Sequence, residues 1–196
     1  MLNYILAIVL VLIISGCSTN VPSVSEYRLK AHTQENKFMA CDKSLKVNKA
    51  FTNASFSSRK IYYGEGEYKQ FAYTQAQWSD ALDRMISDIF TQSIAQSGIF
   101  KSVDSYKSQV KTNYILEIDI EEFMQIYNEK ITSSQAETRL TIALLDTKHR
   151  THKASKTFEV IKKAKTLNAE GGVIALDEAL GEVIGDMLIW LEEVCK

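Results

Sequence analysis

Proline occurs once in the 196 residues, at Pro22, and glycine eight times, which excludes collagen-like repeats and proline-rich linkers. No charge of either sign dominates: 23 Lys and Arg stand against 24 Asp and Glu, a net of −1. The basic excess that bulk nucleic-acid binding needs is therefore missing. There are three cysteines and three histidines, with no C-x-x-C pair and no Cys/His cluster of metal-ligand spacing. What the chain does have is apolar content, 45%, too high for a disordered polymer. One ordinary globular domain is expected, preceded by an unusual N-terminus.

That N-terminus, residues 1–16, reads MLNYILAIVLVLIISG and carries no charged side chain. Ile5 to Ile14 is an unbroken apolar run of ten residues. As helix it spans about 15 Å, half a bilayer core and the size of a signal-peptide h-region. The run ends in Ile14-Ser15-Gly16-Cys17, and small residues directly before a cysteine resemble the lipobox of bacterial lipoproteins. The resemblance implies diacylglycerol on the Cys17 thiol, cleavage before Cys17 and an N-acyl chain (palmitate-like) on the new amino group. Ser18 rather than Asp follows, which implies the periplasmic face of the outer membrane rather than the inner membrane. Residues 17–26 then form a lipidated tether of at most about 30 Å, and residues 27–196 the single domain.

Two cysteines remain after Cys17, Cys41 and Cys195. Outside the cytoplasm such a pair is expected to be bridged. The alternative is two separate thiols. Charge is flat in total but regional: residues 27–60 hold eight Lys/Arg and two acids, residues 170–196 seven acids and one Lys. The two blocks are expected to face each other, which the bridge would require; a basic block meeting anionic lipid is the other reading.

Short strands are expected at Tyr27–Leu29, Ser44–Ala50 and Lys60–Tyr63, the last forming a hairpin with Tyr68–Thr74 around Gly64-Glu65-Gly66-Glu67. Trp78–Ser97 has the apolar spacing of a one-faced helix (Trp78, Leu82, Met85, Ile86, Ile89, Phe90, Ile94), stopped by Gly98 and closed by Ile99. Tyr114, Leu116, Ile118 and Ile120 alternate with polar neighbours, and the alternation slips at Glu121-Glu122, as at a bulge. Arg139–Leu145 and Thr157–Ile161 follow as strands, then a long helix over Gly172–Val194. Runs of adjacent strands without a βαβ rhythm predict an α+β fold: a largely antiparallel sheet with two long helices packed on one face.

Chemistry-bearing groups are sparse. Glu117, Asp119 and Glu121 share one strand face, but Arg139, Lys153 and Lys156 are expected opposite them, and cross-strand charge pairing explains the stripe better than acid–base catalysis. His149 and His152 bracket a turn with Arg150; His32 stands alone. No serine sits in a G-x-S-x-G elbow. Gly64 and Gly66 lack the third glycine, the Lys-Ser/Thr pair and the following helix of a phosphate loop. Asn168 before Gly171-Gly172 reads as a helix cap, with an anion site as the sharper reading. No catalytic residue, metal or free cofactor is assigned.

The segment from Lys60 to Val103 resembles the ABC-type transport auxiliary lipoprotein family, which includes the lipoprotein of the paraquat-inducible (Pqi) envelope system. The residues that carry the resemblance are Ile61-Tyr62-Tyr63, Tyr73, Trp78, Leu82, Ile86, Ile94 and Ser97-Gly98-Ile99-Phe100. Downstream, Tyr114-Ile115-Leu116 with Phe123, Leu144-Leu145-Asp146, Thr157-Phe158 and Ile189-Trp190-Leu191 keep the order. Ser79-Asp80 stand where the family pattern has Pro-Pro. The resemblance implies a non-enzymatic outer-membrane accessory of an ABC lipid transporter. It would dock a periplasm-spanning MCE (mammalian cell entry) protein that works with an inner-membrane permease and ATPase. A homo-oligomer is compatible with it; nucleic acid is not a partner. The runner-up is a structural lipoprotein of envelope assembly, similar to the lipopolysaccharide-assembly lipoprotein; an envelope hydrolase using Glu117 comes third.

Overall fold

A computed structural model describes residues 23–30, 37–53 and 56–195. The leader 1–16, the lipobox cysteine Cys17 and His32 lie outside the described residues. Nine strands and two helices follow in the order β1 (Ser25–Tyr27), β2 (Cys41–Val47), β3 (Phe51–Thr52), β4 (Lys60–Glu65), β5 (Lys69–Trp78), α1 (Leu82–Ser97), β6 (Phe100–Ser105), β7 (Tyr114–Tyr127), β8 (Ser134–Asp146), β9 (Thr151–Lys163) and α2 (Ala169–Cys195).

Alternation builds the centre of the sheet. β8 buries every second residue, Ser134, Ala136, Thr138, Leu140, Ile142 and Leu144. β7 does the same from Tyr114 to Ile120. The register then shifts between Ile120 and Glu122, the expected bulge, and Phe123, Gln125 and Tyr127 take over the inward positions. β7, β8 and β9 form a long antiparallel meander. The other edge of β7 takes three strands in parallel along its length: β2 (Leu45 beside Tyr114), β3 (Phe51 beside Asp119) and β4 (Tyr63 beside Gln125). β6 adds to β2 and β1 to β5, both in parallel, while β4 and β5 are an antiparallel hairpin. The α+β class is as expected, with more parallel pairing than alternation alone suggests.

α2 packs on β7, β8 and β9, α1 on β2 and β6, and the helices touch each other. Leu176, Leu180, Val183, Ile184, Met187 and Leu191 of α2 and Ile86, Phe90 and Ile94 of α1 are fully buried. Each such side chain contributes about 1.5–3 kcal/mol by leaving water. Gly98 ends α1 at φ 71, and buried Ile99 closes the cap, as its position predicts. At its other end α1 begins at Leu82, not Trp78. Trp78 is the last residue of β5, its N–H bonded to the Arg59 carbonyl at 2.7 Å, and Ser79 N–H bonds the Tyr27 carbonyl at 2.6 Å. Backbone pairing with two neighbours holds Trp78 extended, although its spacing to Leu82 and Ile86 suits a helix.

Other boundaries move for similar reasons. The first strand is Ser25–Tyr27, captured by the edge of β5. β8 and β9 are thirteen residues each, longer than their clearest apolar stretches, because a two-stranded meander continues to pair after the alternation fades. α2 starts at Ala169, one turn before Gly172.

Candidate functional site

The carboxylate stripe faces outward on β7. Glu117 lies beside Ala143 and Asp119 beside Thr141, and Glu121 is the bulge residue, its Oε1 accepting the Thr141 hydroxyl at 2.5 Å. Of the basic partners expected for the stripe, Arg139 feels the charges of Glu121 and Glu122, while the two lysines are bonded elsewhere. Arg139 donates to Glu159 at 2.8 Å on the next strand. Lys153 donates to the Tyr114 hydroxyl at 3.0 Å, and Lys156 stands 5.0 Å over the Phe158 ring. The cause is β9: a register shift between Leu144 and Leu145 displaces Lys153, and Lys156 has the same parity as buried Phe158, so it belongs to the helix side. The stripe's contacts among the described residues are the Thr141 hydroxyl and the Arg139 charge, the cross-strand pairs of an outward sheet face.

Glu122, beside Arg139, has a raised pKa. Half-burial is the main cause, the Glu137 charge adds to it and Arg139 opposes it. Its Oε1 is buried without a hydrogen-bond partner. Because the folded carboxyl holds its proton more tightly than the unfolded one, the fold carries a penalty above the folded pKa that disappears below the unfolded value. Glu122→Gln is therefore expected to raise the melting temperature at pH 7 and to lose that advantage as pH falls below about 4. Thermal unfolding of both proteins between pH 4 and 8 checks this; a variant no more stable at pH 7 would contradict it.

His149 does turn work. His149 Nδ1 lies 2.9 Å from Asp146 Oδ2, and the His149 N–H donates to Asp146 Oδ1 at 2.9 Å. These bonds hold the Asp146 carboxyl below its usual range. They close the β8–β9 turn, in which Arg150 takes φ 55. His152 is exposed and lines a shallow cleft with Asp146 and Arg150. Among the described residues, no group of three His, Cys, Asp or Glu could hold a metal. Gly66, at φ 64, makes the β4–β5 turn and is followed by a strand, not by the helix of a phosphate loop.

A buried polar knot at one end of the sheet is not visible in the sequence. Gln125 Oε1 accepts the Tyr73 hydroxyl at 2.7 Å, Gln125 Nε2 donates to Ser134 Oγ at 2.7 Å, and the Tyr73 and Tyr127 hydroxyls are 2.7 Å apart. Burial, then the Tyr127 hydrogen bond, pushes the Tyr73 phenol far up. The only sequence signal is the inward parity of Gln125 after the bulge. The knot seats the start of α2: a Cβ on Gly172 would lie 2.0 Å from Gln125 Oε1, and one on Gly171 would lie 2.4 Å from the Thr166 carbonyl. Asn168 caps the helix, its Oδ1 accepting the Gly171 N–H at 2.9 Å and the Thr166 hydroxyl at 2.8 Å. With that oxygen on the amide, the cap accounts for the Asn-Gly-Gly pattern and the anion reading is not needed. An open cleft of about 280 Å³ lies between Tyr27, Tyr73 and Asn168–Glu170.

Cys41 and Cys195 stand with Cα atoms 6.2 Å apart and their sulfurs joined. The N-terminal segment does lie against the acidic α2, but not chiefly through its lysines. Asp177 accepts the Lys30 backbone N–H at 2.8 Å and Glu192 the Met39 N–H at 2.6 Å. Among the described residues, lysines from the β9 end pair with α2, Lys162 with Glu182 and Lys165 with Glu178. Lys49 instead pairs at 2.7 Å with buried Asp83 of α1.

Among the described residues, no helix is long and apolar enough to cross a membrane. A family model described as "ABC-type transport auxiliary lipoprotein component" matches residues 27–187. No curated protein matches the chain. Among solved structures, protein XCC0632 of Xanthomonas campestris, assigned to family DUF330, superposes with a TM-score of 0.79 at 20% identity, over 87% of this chain and 96% of that one. An uncharacterized protein gives 0.64 at 10% identity, over 85% and 97%. Hypothetical protein CT253 of Chlamydia trachomatis gives 0.51 at 7%, over 76% and 98%. At these identities the likeness is one of fold.

Proposed function

The chain belongs to the family of ABC-type transport auxiliary lipoprotein components, and from that membership we propose that it is the outer-membrane accessory of an MCE-type ABC lipid transporter, acting without enzymatic chemistry of its own. Diacylglycerol and an acyl chain on Cys17 hold it at the periplasmic face of the outer membrane. Its α+β body docks the MCE protein that reaches across from the inner-membrane permease and ATPase. The match over residues 27–187 carries the reading. The lipobox at Ile14–Cys17 and Ser18 after it support the anchor and its membrane. The outward polar groups found in turn, cap and cross-strand bonds support a role in positioning rather than catalysis.

A strain lacking this lipoprotein and a strain lacking the transporter's ATPase are expected to share one envelope-lipid defect, and a strain lacking both to be no worse than either. Additive defects would place the lipoprotein outside the transporter's work.

A further inference from the structure

The direction in which the chain enters the fold says which end of the domain meets the membrane. β1 runs parallel to β5, and β5 starts at the β4–β5 turn. At Ser25 the backbone therefore points back toward the side of that turn. Ser25 sits beside Ala76, next to the Gln77–Lys60 pair, and Lys60 lies five residues before Glu65, where β4 meets both Lys69 and Tyr127. At about 3.3 Å per residue, Ser25 is some 17 Å from this end. The other end, at Tyr114, is eight residues further along β7 from the level of Lys60, about 26 Å. Eight residues separate Cys17 from Ser25, so the tether reaches at most about 28 Å. That length covers the first distance. The second would take almost all of it.

The nearer end is built from three adjoining connections. The β4–β5 turn and the β7–β8 turn line one cleft, and Ala164 N–H bonds Ser134 O where β9 leaves the sheet for α2. Each connection exposes one large apolar side chain: Tyr68 at 93%, Ile131 at 50% and Leu167 at 46%. Ile131 does so at φ 52, a left-handed conformation that a β-branched residue adopts at a cost, in a turn clamped by Asn128 Oδ1 on the Thr132 and Ser133 N–H groups. Glycine or asparagine would suit that turn better, so the fold does not call for isoleucine there. The opposite end carries Lys148, His149 and Arg150 in the β8–β9 turn, and its exposed apolar side chains, Val110 at 58% and Met39 at 62%, stand apart, one before β7 and one before β2.

We propose that this end of the sheet is a membrane-contact surface, with Tyr68, Ile131 and Leu167 resting in the headgroup region of the bilayer that holds the acyl chains; the inference rests on the reading of Cys17 as lipidated. The β4–β5 and β7–β8 turns carry Glu65, Glu67 and Glu129 with Lys69 and Lys130, no basic excess, so the contact is apolar rather than electrostatic and does not depend on anionic lipid.

Full-length acylated protein in phosphatidylcholine vesicles with brominated chains tests it. The native Trp78 and Trp190 are buried, so emission added by Tyr68→Trp, Leu167→Trp or, as a control, Lys148→Trp reports position. Tyr68→Trp and Leu167→Trp are expected to lose roughly half of their added emission, at low and high salt alike, and Lys148→Trp next to none. Vesicle-bound, acylated protein quenched at Lys148→Trp, or at none of the three, overturns the inference while leaving the anchor intact. Protein that carries no acyl mass and does not float with vesicles overturns the anchor and the inference with it.

Discussion

Exchange of Cys17 for serine is expected to empty the outer-membrane fraction of this protein. Two or three acyl chains of about fifteen methylenes, at ~0.8 kcal/mol each, give more than about 20 kcal/mol of membrane attachment, effectively permanent on cellular timescales. No described helix could substitute for them. Serine offers no thiol to alkylate, so the variant should lack all acyl mass and retain the leader 1–16, whose ten-residue apolar run is only about half a bilayer core in length. Intact mass of the purified protein and density-gradient fractionation of envelopes read both effects. The wild type should start at Cys17, carry the added chains and sediment with outer membrane. A Cys17→Ser protein that still sediments there would mean that something other than acyl chains holds it.

The second large effect concerns the body. A Cys41–Cys195 bridge spans a sequence separation of 154 residues, joining the first residue of β2 to the last residue of α2. Closing a loop of that size removes unfolded-state entropy worth up to about 5 kcal/mol, and native bridges commonly contribute about 2–5 kcal/mol. At this chain length each kcal/mol moves the melting temperature by about 2–4 °C, so Cys41→Ser with Cys195→Ser should melt roughly 10 °C lower. Reductant should lower the wild type by a similar amount and leave the double variant unchanged. The loss should be concentrated where β2, β6 and α2 meet: Cys41 N–H bonds the Ile99 carbonyl at 2.7 Å, and Glu192 holds the Met39 N–H nearby. Two thiols that titrate freely in the oxidised protein would contradict the bridge.

Much of this architecture is legible residue by residue. The bulge at Glu121-Glu122 shows because the period of two breaks there, and the stop at Gly98 shows because a helix of spaced apolar residues runs into the residue best suited to a left-handed cap. Trp78 is misleading for the opposite reason. Its spacing to Leu82, Ile86 and Phe90 is helical, but the Arg59 carbonyl and β1 claim its backbone surroundings for the sheet. Alternation reports which face a residue takes, not which strand it meets. The parallel contacts of β7 with β2, β3 and β4 are between segments far apart in the chain and leave no local mark. The same limit hides the partners of Lys153 and Lys156, since a single register shift in β9 changes what Lys153 faces. The Gln125–Tyr73–Tyr127–Ser134 knot is hidden further, because its members come from three strands and become neighbours only when the sheet is assembled.

The docking role itself is tested most directly by recovery of bound partners. Acylated wild-type protein, affinity-purified in mild detergent from crosslinked intact cells, is expected to bring down an MCE-domain protein in amounts comparable to its own, with the permease and ATPase behind it. The Cys17→Ser protein, expressed to the same level, should recover far less. Purification of the wild type with its acyl chains present and no MCE protein attached would contradict a docking function for this lipoprotein.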